Sequence, residues 1–202
     1  MTSDGARWNH NIHYHAVVLR AVSPGAERAL DVGCGEGMLA RQLRERVPHV
    51  VGIDRDEASV RLAGQAGGGV ELVLGDVMDA PFRDASFDLV ASVATLHHVD
   101  AAEGLRRMAA LVRPGGTLVV VGLARHTGFR DLAMGALGVI VSRVLKHTRN
   151  HWEHSAPIVW PPPETYASMR SIARTVLPGA VFRRRLLLRY TLVWQRPVNW
   201  LG

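Results

Sequence analysis

The sequence predicts an α/β protein built on a doubly wound, mostly parallel sheet, and three observations carry that expectation. Strand-like apolar runs and amphipathic helical stretches alternate five times between residues 28 and 123. The connections between them are short, which implies right-handed crossovers with helices on both faces of the sheet. The runs Arg28–Gly33 and Val50–Asp54 are apolar along most of their length, as strands buried on both faces are.

The elements follow in order. Met1–Asn11 is polar and lacks the apolar core of a signal peptide. Tyr14–Val22 places Val17, Val18 and Ala21 at helical spacing, and Ser23-Pro24-Gly25 stops it. Arg28–Gly33 is the first strand. Glu36–Arg46 sets Leu39, Leu43 and Val47 on one helical face before Pro48. Val50–Asp54 is the second strand, and Glu57–Ala66 a helix ended by Gly67-Gly68-Gly69. Val70–Leu74 and Ser86–Val93 are the third and fourth strands. Ala101–Val112 is helical with Leu105, Met108 and Leu111 inward, and Arg113-Pro114-Gly115-Gly116 turns into the strand Thr117–Leu123. Phe129–Leu145 and Glu164–Val176 read as helices flanking a stretch, His147–Pro163, rich in His, Trp and Pro. Val181–Leu188 and Tyr190–Gln195 are strand-like and suit an antiparallel hairpin at the sheet edge.

At 202 residues the chain suits one domain, 1–202. Its 48% hydrophobic and 21% charged residues exclude a disordered chain. The longest apolar stretches, Thr117–Leu123 and Met134–Ser142, fall short of the roughly 20 residues of a membrane span. Cys34 is the only cysteine, which excludes an internal disulfide and fits a reducing compartment. The expectation is therefore a soluble cytoplasmic protein with no membrane partner. The net charge of +6 is dispersed. Its one dense run, Arg183–Arg185, falls in a predicted strand whose side chains alternate between faces, so the charge reads as solvated surface.

In a parallel sheet the ligand lies beyond the carboxyl ends of the strands, where strand order reverses. The first strand ends in Leu30-Asp31-Val32-Gly33-Cys34-Gly35-Glu36-Gly37. Gly33 and Gly35 let the backbone turn and approach a ligand with no Cβ in the way. Asp54 ends the second strand, where a carboxylate can accept both hydroxyls of a ribose. Asp76 ends the third, placed to accept from an adenine amino group. Together these ends describe an adenosine-shaped site. A dinucleotide fingerprint is absent, because Met38 stands where the third glycine is required, and no Gly-Lys-Ser/Thr follows to make a phosphate loop.

With these residues in register, the sequence resembles the class I S-adenosylmethionine-dependent methyltransferases, in particular their small-molecule group with a D-x-G-C-G-x-G turn. The stretches Ala29–Gly37, Val50–Asp54, Gly75–Phe82, Ser86–Asp100 and Leu111–Leu123 carry the likeness, over about half the chain. The resemblance implies a Rossmann-like sheet of seven strands, the last antiparallel, and S-adenosyl-L-methionine as cofactor. It implies that Gly33, Cys34 and Gly35 line the methionine part, that Asp31 positions its amino group, and that Asp54 and Arg55 flank the ribose. Asp76 and Val77 would hold adenine, with Val93 and His98 beside the sulfonium. The leading segment, 1–22, would fold over the cofactor as a lid, with Tyr14 or His15 contributing. Residues 124–163 would cover the acceptor.

His98 is the candidate catalytic residue, as a proton acceptor, with simple pocket lining as its alternative. Cys34 has no partner that would make it a nucleophile. His147, His151 and His154 have a spacing compatible with zinc, but no further ligand completes a site, and no metal is expected. Trp152, Trp160 and Tyr166 are pocket walls or ordinary core. After the fourth strand, Ser92-Val93-Ala94-Thr95 lacks the Asn/Asp-Pro-Pro-aromatic turn of base and glutamine amino-methylases. The acceptor is therefore expected to be a small molecule methylated on O, N or C, with no nucleic-acid partner. Two alternatives stay open: a cofactor-binding protein or non-methylating cyclase of natural-product assembly, and a nucleic-acid methyltransferase.

Overall fold

Seven strands form one sheet in the computed structural model, which describes residues 7–125, 150–151 and 161–200. They are β1 (Arg28–Val32), β2 (His49–Asp54), β3 (Glu71–Leu74), β4 (Phe87–Val93), β5 (Val112–Leu123), β6 (Val181–Arg184) and β7 (Arg189–Gln195). Their spatial order is β3-β2-β1-β4-β5-β7-β6. The first five run parallel, and β7 pairs antiparallel with both β5 and β6. Strand order reverses between β1 and β4, which puts a crevice at their carboxyl ends. The predicted doubly wound, seven-stranded architecture is the observed one.

Among the described residues, five helices cover the sheet: α1 (His15–Arg20), α2 (Met38–Arg44), α3 (Glu57–Ala66), α4 (Ala101–Leu111) and α5 (Tyr166–Val176). Alternate residues of each strand feed two cores. Val90, Leu118, Val120 and Trp194 pack with Leu105, Met108 and Met169, on the side of α4 and α5. Leu89, Ala91, Val119 and Val121 pack on the other side with Val18, Leu39 and Leu43. Apolar burial on both faces is what the unbroken apolar strands require. Three of these helices, α3, α4 and α5, start at side-chain caps worth about 1 kcal/mol each. Asp56 accepts from Ser59 N at 2.9 Å, Asp100 accepts from Ala102 N and Glu103 N at 2.9 Å, and Thr165 forms a capping box with Ser168.

Several element boundaries differ from the expectation, and four of the differences have a clear structural cause. Helix α2 begins at Met38, because Gly37 takes a left-handed φ of 74° before it. Strand β5 begins at Val112, opposite Phe87, and a register shift between Phe87 and Leu89 absorbs the Arg113-Pro114-Gly115-Gly116 turn. The leading helix divides into a 3₁₀ turn, Ile12–Tyr14, and α1. Strand β6 stops at Arg184, since Leu187 and Leu188 take φ of 59° and 61° in the hairpin turn. Burial of Leu187 offsets the cost of that conformation.

Arg7–Trp8 pairs in parallel with Asn150–His151, joining two segments far apart in the chain. The predicted helix Phe129–Leu145 and most of the 124–163 cover lie outside the described residues. Among the described residues, no helix is long and apolar enough to cross a membrane.

Candidate active site

The turn after β1 is tied to β2 by its backbone. Gly33 N and Cys34 N both donate to Ile53 O, at 2.8 and 3.1 Å. Gly33 has φ of 71°, and a Cβ there would overlap the Thr95 side chain, so glycine is required twice over. Thr95 is itself held by a bond from its Oγ1 to Val93 O at 3.2 Å. Across the turn, a Cβ on Gly52 would stand 2.9 Å from Cys34 Sγ, so the strand carries glycine where the thiol packs. Cys34 is buried, and burial with the nearby Asp31 and Asp54 charges pushes its thiol far above the usual range. It acts as a small wall residue.

Three carboxylates stand at successive strand ends, in different states. Asp31 is 2% exposed and its Oδ2 has no hydrogen-bond partner. Burial first, and the Asp54 charge second, push its carboxyl up to about 7, against a backbone hydrogen bond from Ala40. Asp54 accepts from Gly35 N at 2.7 Å and from Asp56 N at 2.9 Å, so it organises the glycine turn from β2. Asp76 accepts from Met78 N at 3.0 Å and meets Arg55 Nη1 at 3.3 Å. Because Arg55 is mostly exposed, that pair contributes at most about 1 kcal/mol. Val77 is buried in the core, and its carbonyl accepts from Arg107 Nε at 3.0 Å.

Asp31, Gly33, Cys34 and Val93 converge on one cleft, which Asn9, Asn11, Ile12 and His15 also line. Asp54 adjoins it through Gly35. Arg55, Asp76 and Val77 lie along the neighbouring rim and do not line this cleft. His98 is exposed; partial burial and the Arg55 charge lower its pKa, while Asp54 raises it. Its ring lies 4.2 Å, centroid to centroid, from that of His97. Burial, His98 and Arg189 depress His97 to about 4, and its buried Nδ1 has no hydrogen-bond partner.

Of the two lid residues weighed from sequence, His15 lines the cleft and also meets Gln42 Oε1 at 2.9 Å. Tyr14 instead ties the leading segment to the hairpin, donating to Leu186 O at 2.8 Å. Tyr166 is core. Arg7, Ile12, Glu36, Met38 and Leu39 also line the cleft, a role not assigned to them from sequence; Arg7 Nη1 and Glu36 Oε2 form an ion pair there at 3.1 Å. Among the described residues, no group of three or more His, Cys, Asp or Glu could hold a metal ion. His147 and His154, with Trp152 and Trp160, lie outside them.

The chemistry on offer is that of a buried acceptor without a donor, beside a glycine turn with no room for side chains. A ligand bringing an ammonium group would satisfy Asp31 Oδ2 and favour its ionised form.

Residues 30–120 match the methyltransferase domain family. An uncharacterized methyltransferase of Mycobacterium tuberculosis is 40% identical over 194 residues, spanning 95% of this chain and 98% of the relative. Demethylmenaquinone methyltransferase of Deinococcus radiodurans is 32% identical over 139 residues, 65% of this chain and 55% of that one. Among solved structures, a phosphoethanolamine N-methyltransferase of Haemonchus contortus, in complex with S-adenosylhomocysteine, shares the fold. Its TM-score is 0.64 at 15% identity, over 92% of this chain and 53% of that one.

Proposed function

From its place among the S-adenosylmethionine-dependent methyltransferases, the family to which this chain belongs, we propose that it methylates a small-molecule acceptor on O, N or C. When bound, S-adenosyl-L-methionine supplies a methyl group on an electrophilic sulfonium, and the protein's task is alignment and exclusion of water. The residues present fit that cofactor, on the evidence of the orphaned Asp31 Oδ2 and the glycine turn that a Cβ at Gly33 would fill.

In this reading Asp31 accepts the cofactor's ammonium group, and the ion pair holds its carboxyl ionised at neutral pH. Gly33, Cys34 and Gly35 line the methionine part. Asp54 offers its remaining lone pairs to the ribose hydroxyls while it keeps Gly35 N in place, and Arg55 flanks the sugar. Asp76 and Val77 bound the adenine. Val93 walls the reacting centre, and His98 accepts the proton from the acceptor; its lowered pKa keeps the imidazole in its basic form at neutral pH. Residues 1–22 serve as lid and 124–163 as acceptor cover. The lone Cys34 fits a reducing, cytoplasmic setting.

The observation that carries the small-molecule reading is the lining of the cleft. Asn9, Asn11 and Ile12 of the leading segment line the same cleft as Asp31 and Val93, an arrangement that suits a compact acceptor better than a polymer. The end of β4 also lacks the Pro-Pro-aromatic turn expected of amino-methylases of bases. The test is transfer of labelled methyl to a metabolite extract, to total tRNA and to duplex DNA. Label is expected in the low-molecular-weight fraction alone. Label in a polynucleotide, with salt-sensitive retention of it, overturns the reading.

A further inference from the structure

Beyond the glycine turn, the same rim holds a buried cation that no carboxylate among the described residues pairs with. Arg189 opens β7 opposite Leu123, the last residue of β5, and is only 8% exposed. Its Nη2 donates to Asn11 Oδ1 at 2.7 Å, its Nη1 to Leu187 O at 3.3 Å, and its Nε has no partner. Among the described residues, no carboxylate pairs with it. The groups that favour its charge are the phenols of Tyr14 and Tyr166, and burial pulls its pKa down to about 10. Enclosing a guanidinium without an anion is strongly unfavourable, and removing it would be the simplest way to gain stability.

A second orphan lies in the same neighbourhood. His97, carried just past the end of β4, is close enough for the Arg189 charge to depress it, and its Nδ1 is buried without a partner. Asn11 connects this pair to the cleft, since it lines the same space as Asp31, Gly33 and Val93. Arg189 does not itself line the cleft; Asn11 stands between the two, one hydrogen bond away from the guanidinium.

We propose that Arg189, with His97 beside it, binds an anionic group of the methyl acceptor, a carboxylate or a phosphate. This deepens, and rests on, the small-molecule reading above. Asn11 occupies Nη2 until the anion replaces it, and the planar guanidinium then offers Nη2 and Nε as a fork to two oxygens. A polynucleotide backbone does not reach a group so enclosed, so the anion belongs to a compact molecule. The arriving charge supplies what the folded chain lacks at this point.

The experiment uses the full chain saturated with S-adenosylhomocysteine and titrates it with malonate and with inorganic phosphate, followed by calorimetry and amide chemical shifts. Wild type is expected to bind at least one of these anions saturably. Arg189→Met should weaken that binding by about tenfold or more, and Arg189→Lys should retain part of it. Asn11→Asp places a counter-charge next to the guanidinium, so it should raise the thermal midpoint while it also weakens anion binding. That variant keeps the test open if Arg189→Met does not fold.

Equal affinity in wild type and either variant overturns the proposal, as does absence of saturable binding in wild type. S-adenosylhomocysteine affinity is measured in the same samples. Its failure would count against the cofactor site, and so against the reading beneath this one, separately from the anion result. To separate an acceptor's anion from a free one, methyl transfer is compared between metabolite acids and their neutral amides. Wild type should prefer the acids and Arg189→Met should lose the preference. No preference in wild type would make any bound anion a free one and overturn the assignment to the acceptor.

Discussion

Along one rim of one sheet, two regions solve the problem of buried charge in opposite ways. At the ends of β1, β2 and β3 the charges are negative, and two of the three are employed: Asp54 holds Gly35 and Asp56 by their N–H groups, and Asp76 holds Met78 N and Arg55. Only Asp31 keeps an oxygen in reserve. Past the ends of β4 and β5 the charge is positive, and the polar groups are left short: Arg189 Nε and His97 Nδ1 are both buried and unpartnered. The first region is built from tight backbone geometry and holds its shape alone. The second leaves those two atoms without partners among the described residues. A cofactor common to a whole family suits the first design, and an acceptor particular to this chain suits the second.

The largest effect that would test this contrast is at the most rigid point. Gly33→Ala adds a methyl group into Thr95 at a left-handed φ, and should destabilise the protein by about 3 kcal/mol or more in denaturant unfolding. A loss below about 1 kcal/mol would show that the turn is softer than described.

Next is Asp31. Its folded-state pKa is raised, so the folded protein without ligand keeps a proton that the unfolded chain has released. Stability without ligand should therefore fall as pH rises from about 4 to about 7, and Asp31→Asn should remove that fall from thermal midpoints. An ammonium ligand favours the ionised form, so wild-type affinity for S-adenosylhomocysteine should climb toward pH 7 and then level. Asp31→Asn should bind about ten- to a hundredfold more weakly at pH 8, with no climb. A pH-independent wild-type affinity would place the ammonium elsewhere.

Asp54→Ala removes an acceptor shared by two backbone N–H groups and, in the proposed reading, by the ribose. Calorimetry should register a loss of roughly 1–3 kcal/mol in cofactor affinity. Unchanged binding would separate Asp54 from the site. The smallest binding effect is expected at His98. Its exposed ring contributes little to holding the cofactor, so His98→Ala should change S-adenosylhomocysteine affinity by less than about threefold. The turnover rate should fall, and its rise with pH should move to alkaline values, since the acceptor must then lose its proton without help. A turnover profile identical to wild type would make His98 wall rather than base.

The rigid region was the legible one. A glycine turn, and carboxylates at successive strand ends, are local patterns whose spacing is set by strand and helix lengths, and a sequence displays them directly. The convergence of Asp31, Gly33, Cys34 and Val93 follows from that spacing. Residues that depend on the path of the chain were not visible in the same way. Arg7 is one more charge in a polar segment by sequence, yet in the fold it pairs with Asn150 and meets Glu36. Arg189 follows a run of three arginines that read as solvated surface, and the hairpin turn with two left-handed leucines turns it inward. Val112 was hidden as a strand residue because the Pro-Gly-Gly after it is written like a turn, although the sheet absorbs it as a register shift.

One consequence of the glycine turn is practical. Cys34 is the chain's single thiol, and it is sealed against Gly52 with its thiolate form strongly disfavoured. A disulfide reagent such as Ellman's must enter by the cleft that Cys34 lines and meet a buried thiol there, so the rate of labelling is a built-in clock for opening at the glycine turn. Ligands that clamp the turn should slow the clock in proportion to their occupancy, and no engineered probe is needed to read it.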